Sequence, residues 1–266
     1  MNEAYPDLSA DLTVFVSTVG AASFPDCMAH LSAQDCRFKL EVIEDVAPMS
    51  AAFQQMLDRC STPLYIQVDE DMILHPFAIR RLHQWLTAAE PDVAFVIGWL
   101  WDVHLGRGIQ GVKAFRHAIC RRYPYADVQS CEKDQLQRLQ DDGFRYSKPP
   151  DPVPTQEGPS TLGFHGCHYD ARSIFERYAT LEQKRHRHPE KLAWFHGHAA
   201  EFLNRFLSDP TELNLMAVMG LLAGRLAPDE RHGEKDFTQY DALSGLREAQ
   251  AFFAACRTAG RNLPEP

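Results

Sequence analysis

The chain has 266 residues, of which 45% are hydrophobic and 24% charged. That is an ordinary globular composition, with room for one large domain or a domain with an appendage. A net charge of −9 argues against non-specific binding to nucleic acid or anionic membrane as the main task, since both repel surplus carboxylates. No apolar run approaches the roughly 20 residues that span a bilayer, and no signal-like segment opens the sequence. The seven cysteines are scattered, without the spacing of a disulfide framework. The expectation is therefore a reduced, cytoplasmic protein with no transmembrane segment.

The run LTVFVSTV at 12–19 is apolar and β-branched and stops at Gly20, the pattern of a buried strand. Phe24, Cys27 and Leu31 share one face of a helix over 24–34. Residues 38–45, FKLEVIED, alternate and end on Glu44 and Asp45, a second strand. Ala51, Phe53, Met56, Leu57 and Cys60 mark a helix over 50–60 with Ser50 as its cap. A third strand follows at 63–68, then a helix opening near Pro76, then a fourth strand at 93–99. Such alternation predicts a three-layer α/β fold, Rossmann-like, around a parallel sheet. Ligands of such sheets bind beyond the carboxyl ends of the strands, where Thr18, Asp45 and Asp69–Asp71 all fall.

Residues 111–120 follow a glycine turn and read as a strand or short helix. A helix is expected over 131–142, closed by Gly143. The proline-rich stretch 147–160 reads as a loop of the length often used for lids or binding. From 171 the pattern is helical, with Leu213, Leu215, Met216, Val218, Met219, Leu221 and Leu222 in one apolar helix, and the tail past 257 is frayed. The expected division is a core over 1–170 and a helical C-terminal extension over 171–266.

The segment PLYIQVDEDMIL, 63–74, carries the most chemistry. It is a buried strand that runs into Asp69, Glu70 and Asp71. Carboxylates at the end of a core strand are costly unless their charge is compensated. A hard divalent cation, Mg2+ or Mn2+, does this with oxygen ligands and in turn holds phosphates. The plainer account is a solvated acidic turn.

Strand, helix, strand ending in Asp, helix, strand ending in Asp-x-Asp is an order that resembles the nucleotide-diphospho-sugar glycosyltransferases of the GT-A fold, family-two-like. The resemblance runs over roughly residues 12–170. VDEDM matches the family's metal motif at Asp69 and Asp71, and GVKAFR matches its glycine, aromatic and arginine at Gly111, Phe115 and Arg116. In CEKDQLQRLQDDGF, residues Asp134, Arg138, Leu139, Gly143 and Phe144 fall at family spacings. The catalytic-base aspartate of the family then lands on Glu132, and the glutamate before it on Cys131. FHGCH resembles the segment of the late metal-ligand histidine, with His165 and His168 both candidates. Gln54 stands where the family has an asparagine before the metal strand.

The resemblance implies a metal-dependent, inverting transfer of a sugar from a nucleotide-diphosphate donor, expected to be uridine-linked, to a hydroxyl acceptor. Asp71 would be the most direct metal ligand, with His165 completing the shell and Asp69 reaching the ribose or the metal through water. Glu132 or Asp134 would take the acceptor's proton; the plainer role for either is a charged helix start. Thr18, Asp45, Gln54, Gly111 and Arg116 would line the donor site, and Arg116 or Lys113 could pair with phosphate. Trp99 and Trp101 could stack on a sugar, though a core role is the commoner one. Two rivals stand beside this. A sugar-phosphate nucleotidyltransferase shares the α/β plan, but its phosphate loop is rich in glycine and basic residues, and STVGAASF has one glycine and no base. A non-catalytic, zinc-stabilised module would draw on His165, Cys167, His168, His196 and His198.

Overall fold

Leu12, Val14 and Val16 point to one side of the first strand and Phe15 to the other, and none of the four is exposed. A strand buried on both faces must be the inside of a layered structure. The computed structural model describes residues 5–128, 130–149, 161–185 and 192–226, and scattered positions between 247 and 255. It divides into two compact units, one formed by 1–126 and 131–168, the other by 127–130 and 169–266.

In the first unit the elements run β1 (Leu12–Thr18), α1 (Phe24–Ser32), β2 (Lys39–Glu44), α2 (Met49–Arg59), β3 (Leu64–Asp69), β4 (Met72–Leu74) and α3 (Ala78–Ala88). There follow β5 (Val93–Asp102), β6 (Arg107–Arg116), α4 (His117–Cys120), α5 (Cys131–Asp141), β7 (Arg145–Ser147) and β8 (Thr161–His165). The strand order is β2-β1-β3-β6-β5-β8-β4, with β7 added against β5. Leu12, Val14, Val16, Leu64, Ile66 and Val68 pack with α1 and α3 residues such as Cys27, Leu31, Ile79 and Leu82. Phe15, Tyr65 and Phe115 pack on the other side with Phe53, Met56, Cys131 and Leu139 of α2 and α5. Helices thus cover both faces, and the fold is a three-layer α/β sandwich. Across its strands Tyr65 stacks on Phe115 at 4.8 Å between centroids, and Phe95 meets Phe115 at 5.1 Å, the cross-strand pairing that stabilises sheets.

The sheet is mixed, not parallel as the alternation alone predicts. β1 runs parallel to β2 and β3, but β6 is antiparallel to β3 and to β5, and β4 is antiparallel to β8. The cause is local. No helix separates the strand at 93–102 from the one at 107–116, so the chain reverses in a tight turn through Gly106 (φ +60°) and the two strands pair as a hairpin. Gly111 is accordingly not in a turn. It lies within β6, where a Cβ would meet Leu100 Cδ1 at 2.4 Å. Trp99 and Trp101 lie on β5.

The second unit contains α6 (Ala171–Arg185), α7 (Leu192–Ser208) and α8 (Glu212–Leu226). Gly220 and Gly224 bring α8 against α6: a Cβ on them would lie 2.4 Å from Phe175 O and 2.2 Å from Ala179 O. Glu182 is fully buried in this unit, with Arg225 Nη1 3.3 Å from its Oε1. No helix among the described residues is long and apolar enough to cross a membrane. The tail past 257, the stretch HRH at 186–188 and most of the proline-rich loop at 147–160 lie outside the described residues.

Candidate functional site

β3 delivers Asp69 to the carboxyl rim of the sheet, next to Ser17 of β1, whose hydroxyl donates to Asp69 Oδ1 at 3.0 Å. Asp69 is crowded. Burial, then the neighbouring charges of Asp71 and Glu132, push its carboxyl above the usual range, against the Ser17 hydrogen bond and Lys113. Cys27 of α1 lies below, its Sγ 3.8 Å from Asp69 O, and burial, then the charges of Asp71, Asp69 and Glu70, push its thiol up to about 12. It is an inert core thiol.

Glu70, in the middle of the acidic trio, has a different task. Val19 N–H donates to its Oε1 at 3.1 Å and Ala21 N–H to its Oε2 at 2.9 Å, while Thr18 Oγ1 also donates to Oε2. Its own N–H donates to Ser17 O at 3.1 Å. Glu70 therefore closes the loop after β1, and Thr18 is bound into that closure. The backbone N–H of Asp45 donates to Thr18 O at 3.0 Å, which sets the ends of β1 and β2 side by side. Asp45 takes the left-handed conformation (φ 53°), one that aspartate tolerates better than most residues.

Asp71 meets His165 across the rim, its Oδ2 3.2 Å from Nε2. β8 carries His165 to the end of β5, where Asp102 is its register partner, and Asp102 Oδ2 lies 2.9 Å from Nδ1. Asp102 is only 1% exposed, and its Oδ1 accepts the N–H of Leu105 at 2.7 Å. The sequence reading did not single out Asp102. Its available signal was a charged residue closing a strand of otherwise unbroken apolar character, Val93 to Trp101.

A divalent ion fits these groups. Two adjacent ligands of an octahedral ion bound at about 2.1 Å stand about 3 Å apart, close to the Asp71–His165 separation. The hydrogen bond from the far ring nitrogen to a carboxylate is the usual support of a metal-ligating histidine. Among the described residues no group of three or more His, Cys, Asp or Glu side chains is placed to hold a metal ion, so Asp71 and His165 would have to share one with ligands from outside the protein. The protein would thus supply an open shell, as suits an ion that keeps waters and phosphate oxygens.

Glu132 opens α5 and reaches Lys113 of β6, with Oε1 2.5 Å from Nζ. Lys113 is opposite Gln67 on β3, two residues from Asp69 on the same face. Burial works against the Lys113 charge, but Glu132, and after it Asp69, hold its pKa above the ordinary value. Tyr125 completes this patch. Its hydroxyl accepts from Gln67 Nε2 at 3.0 Å, and burial and Glu132 push its pKa well up. Gln54 supports Tyr125 from α2, its Oε1 accepting the Tyr125 N–H at 2.9 Å.

Other residues singled out in the sequence do not join this group. Asp134 is held by Arg138 one helical turn on, at 2.9 and 2.7 Å. Arg116 lies opposite Leu64, the other end of β3 from Asp69, and donates to Val93 O, Leu86 O and Ala89 O at 3.0, 2.7 and 3.0 Å. His168 Nε2 is 2.8 Å from Asp26 Oδ2, while Cys167 is exposed. In the second unit His198 stacks on Phe202, with Nδ1 3.1 Å from Arg185 Nη1. Trp99 has the Lys148 ammonium 5.7 Å from its ring centroid.

No known protein family matches the sequence, and no curated protein does either. Some solved structures are similar to it in part. A mannosyltransferase from Pyrobaculum calidifontis, solved with GDP-Man and Mn2+, aligns over 98% of this chain and 79% of its own, at 14% identity and a TM-score of 0.47. TarS 1-349 of S. aureus aligns over 91% and 80%, at 11% identity and 0.45. Glucosyl-3-phosphoglycerate synthase from Mycobacterium tuberculosis, solved with Mn2+, UDP and glucosyl-3-phosphoglycerate, aligns over 83% and 82%, at 11% identity and 0.43. At such values the likeness carries no argument about this chain, and fold and chemistry alike have to come from its own residues.

Proposed function

We propose that the chain is a metal-dependent glycosyltransferase that moves a sugar from a nucleotide-diphosphate donor, uridine-linked in the first instance, to a hydroxyl acceptor with inversion. The observation that supports this best is the Asp71–His165 pair at the sheet rim, with Glu132 near enough to Asp69 for their charges to interact.

Asp71 and His165, with Asp69 beside them, would hold Mn2+ or Mg2+, which when bound would supply positive charge to the diphosphate leaving group. Asp45, at the end of β2, faces the nucleoside, while Thr18, its hydroxyl taken by Glu70, shapes the loop beside it. Glu132 takes the proton of the acceptor hydroxyl as its oxygen bonds to the anomeric carbon and the bond from that carbon to the diphosphate breaks. Lys113 holds Glu132 through Oε1. A single displacement with a dedicated base inverts the anomeric centre.

The nucleotidyltransferase rival needs backbone amides open to a phosphate after the first strand. Here the N–H groups of Val19 and Ala21 already donate to Glu70, which disfavours that role.

The test is a panel of nucleotide-sugars incubated with and without Mn2+. The expected result is release of nucleoside diphosphate that stops on chelation and an acceptor product of inverted anomeric configuration. Pyrophosphate released from a nucleoside triphosphate and a sugar phosphate would replace this reading with the rival.

A further inference from the structure

His165 has a carboxylate at each ring nitrogen: Asp102 at 2.9 Å from Nδ1 and Asp71 at 3.2 Å from Nε2. As a carboxylate, Asp102 can only accept hydrogen bonds. It already accepts one from Leu105 N–H, and its burial leaves little room to turn away. A neutral His165 ring therefore carries its proton on Nδ1, and the lone pair of Nε2 points at Asp71. Two electron-rich atoms so placed repel each other until something positive lies between them.

The backbone holds them in this position. Met72 and His165 are register partners between β4 and β8, Gly166 N–H donates to Asp71 O at 3.2 Å, and Val103 N–H donates to His165 O at 3.0 Å. The strands themselves thus present Nε2 and Oδ2 to a shared cation.

We infer that Asp102 is the positioning residue of this cation site: it fixes the tautomer of His165 and so sets the affinity for the ion. The role of that ion rests on the function proposed above. Asp102 touches neither the donor nor the reacting atoms; it acts through His165. Outer partners of this kind change metal affinity by roughly 10- to 100-fold.

Asp102→Asn is the informative substitution. It keeps the size, and its carbonyl oxygen still accepts from Leu105, but its amide donates to Nδ1 and drives the ring proton to Nε2. Nitrogen-15 NMR of metal-free protein, at a pH where the ring is neutral, reads the tautomer directly. Electron paramagnetic resonance of free Mn2+ reads the affinity. The expected results are the Nδ1–H tautomer in the wild type and Nε2–H in Asp102→Asn, with Mn2+ affinity lower by roughly 10- to 100-fold at an unchanged thermal midpoint. Asp102→Glu, which keeps the carboxylate, should restore the Nδ1–H tautomer and part of the affinity.

An Nε2–H ring in the wild type overturns the inference without recourse to any variant. Equal Mn2+ affinity in the wild type and a folded Asp102→Asn overturns it as well. Wild-type protein that shows the expected tautomers and affinities, yet turns over no nucleotide-sugar, sinks the transferase reading alone and leaves the role of Asp102 standing.

Discussion

The two ends of the β3–β6 strand pair use positive charge in opposite ways. At the rim, Lys113 reaches Glu132 and lies within the field of Asp69. Three residues further along the same strand, Arg116 points to the other face and ties down carbonyls of α3 and β5. An odd spacing on a strand reverses the side chain's face, so two cations close in sequence serve different layers. One end gathers like charges that repel in the absence of a ligand. The other has its polar groups satisfied within the fold. A region built for chemistry should therefore lose activity without losing stability when its charges are removed, and a region built for stability should do the reverse.

The largest effect is expected at Asp71. Replacing it with Ala should abolish metal-dependent turnover and leave the thermal midpoint almost unmoved, measured by product release and by calorimetry. Surviving turnover would put the metal elsewhere. Glu132→Gln should lower kcat by roughly a hundredfold or more while donor binding, read by thermal shift, persists. An unaffected rate would remove Glu132 as the base.

Arg116→Met tests the opposite end. Loss of its charged hydrogen bonds to carbonyls should cost about 2–3 kcal/mol, lowering the midpoint by roughly 5–10 °C, with the KM for donor unchanged. A raised KM with an intact midpoint would return Arg116 to the donor site. Lys113→Met should reduce turnover by roughly tenfold. It should also move the acid limb of the pH–rate profile upward, because a carboxylate that loses its cation holds its proton to higher pH. Lys113→Arg should keep the limb where it was.

The smallest effect concerns Asp69 in the metal-free protein. Its carboxyl is pushed above the usual range by burial and by Asp71 and Glu132. A group raised in the folded state contributes stability below its unfolded pKa and loses it as pH rises through the folded value. Asp69→Asn should match the wild type at low pH and exceed it at neutral pH, by about a few degrees, while weakening Mn2+ binding. A variant less stable than the wild type at neutral pH would show that the Ser17 hydrogen bond outweighs the repulsion.

Much of the layered core was readable along the chain. The apolar runs ending at Thr18 and Asp69 mark β1 and β3, because a strand buried on both faces needs nearly every residue apolar and the first polar residues mark its exit; β2, at the sheet's edge, shows only the alternation of a largely exposed strand. The hairpin of β5 and β6 was less readable. The alternation of strand and helix implies crossovers, and the missing helix between 102 and 107 was a weaker signal than the repeated βα pattern before it. Gly111 reads as a turn for the same reason. Glycine signals conformational freedom in a sequence, but here it makes room for Leu100.

The candidate site divides along the same line. Asp69 and Asp71 declare themselves locally, because carboxylates directly after a buried strand have no cheap place to go. Which of the histidines they meet, and what steadies it, does not depend on local pattern. Asp102 and His165 are 63 residues apart and become neighbours only when β8 lies alongside β5. Periodicity and charge act over a few residues, so the residue order settles strands, helices and the acids at their ends. Pairing of distant strands is decided by the burial of whole faces in the packed sheet, and only that packing sets His165 between two carboxylates and separates Lys113 from Arg116.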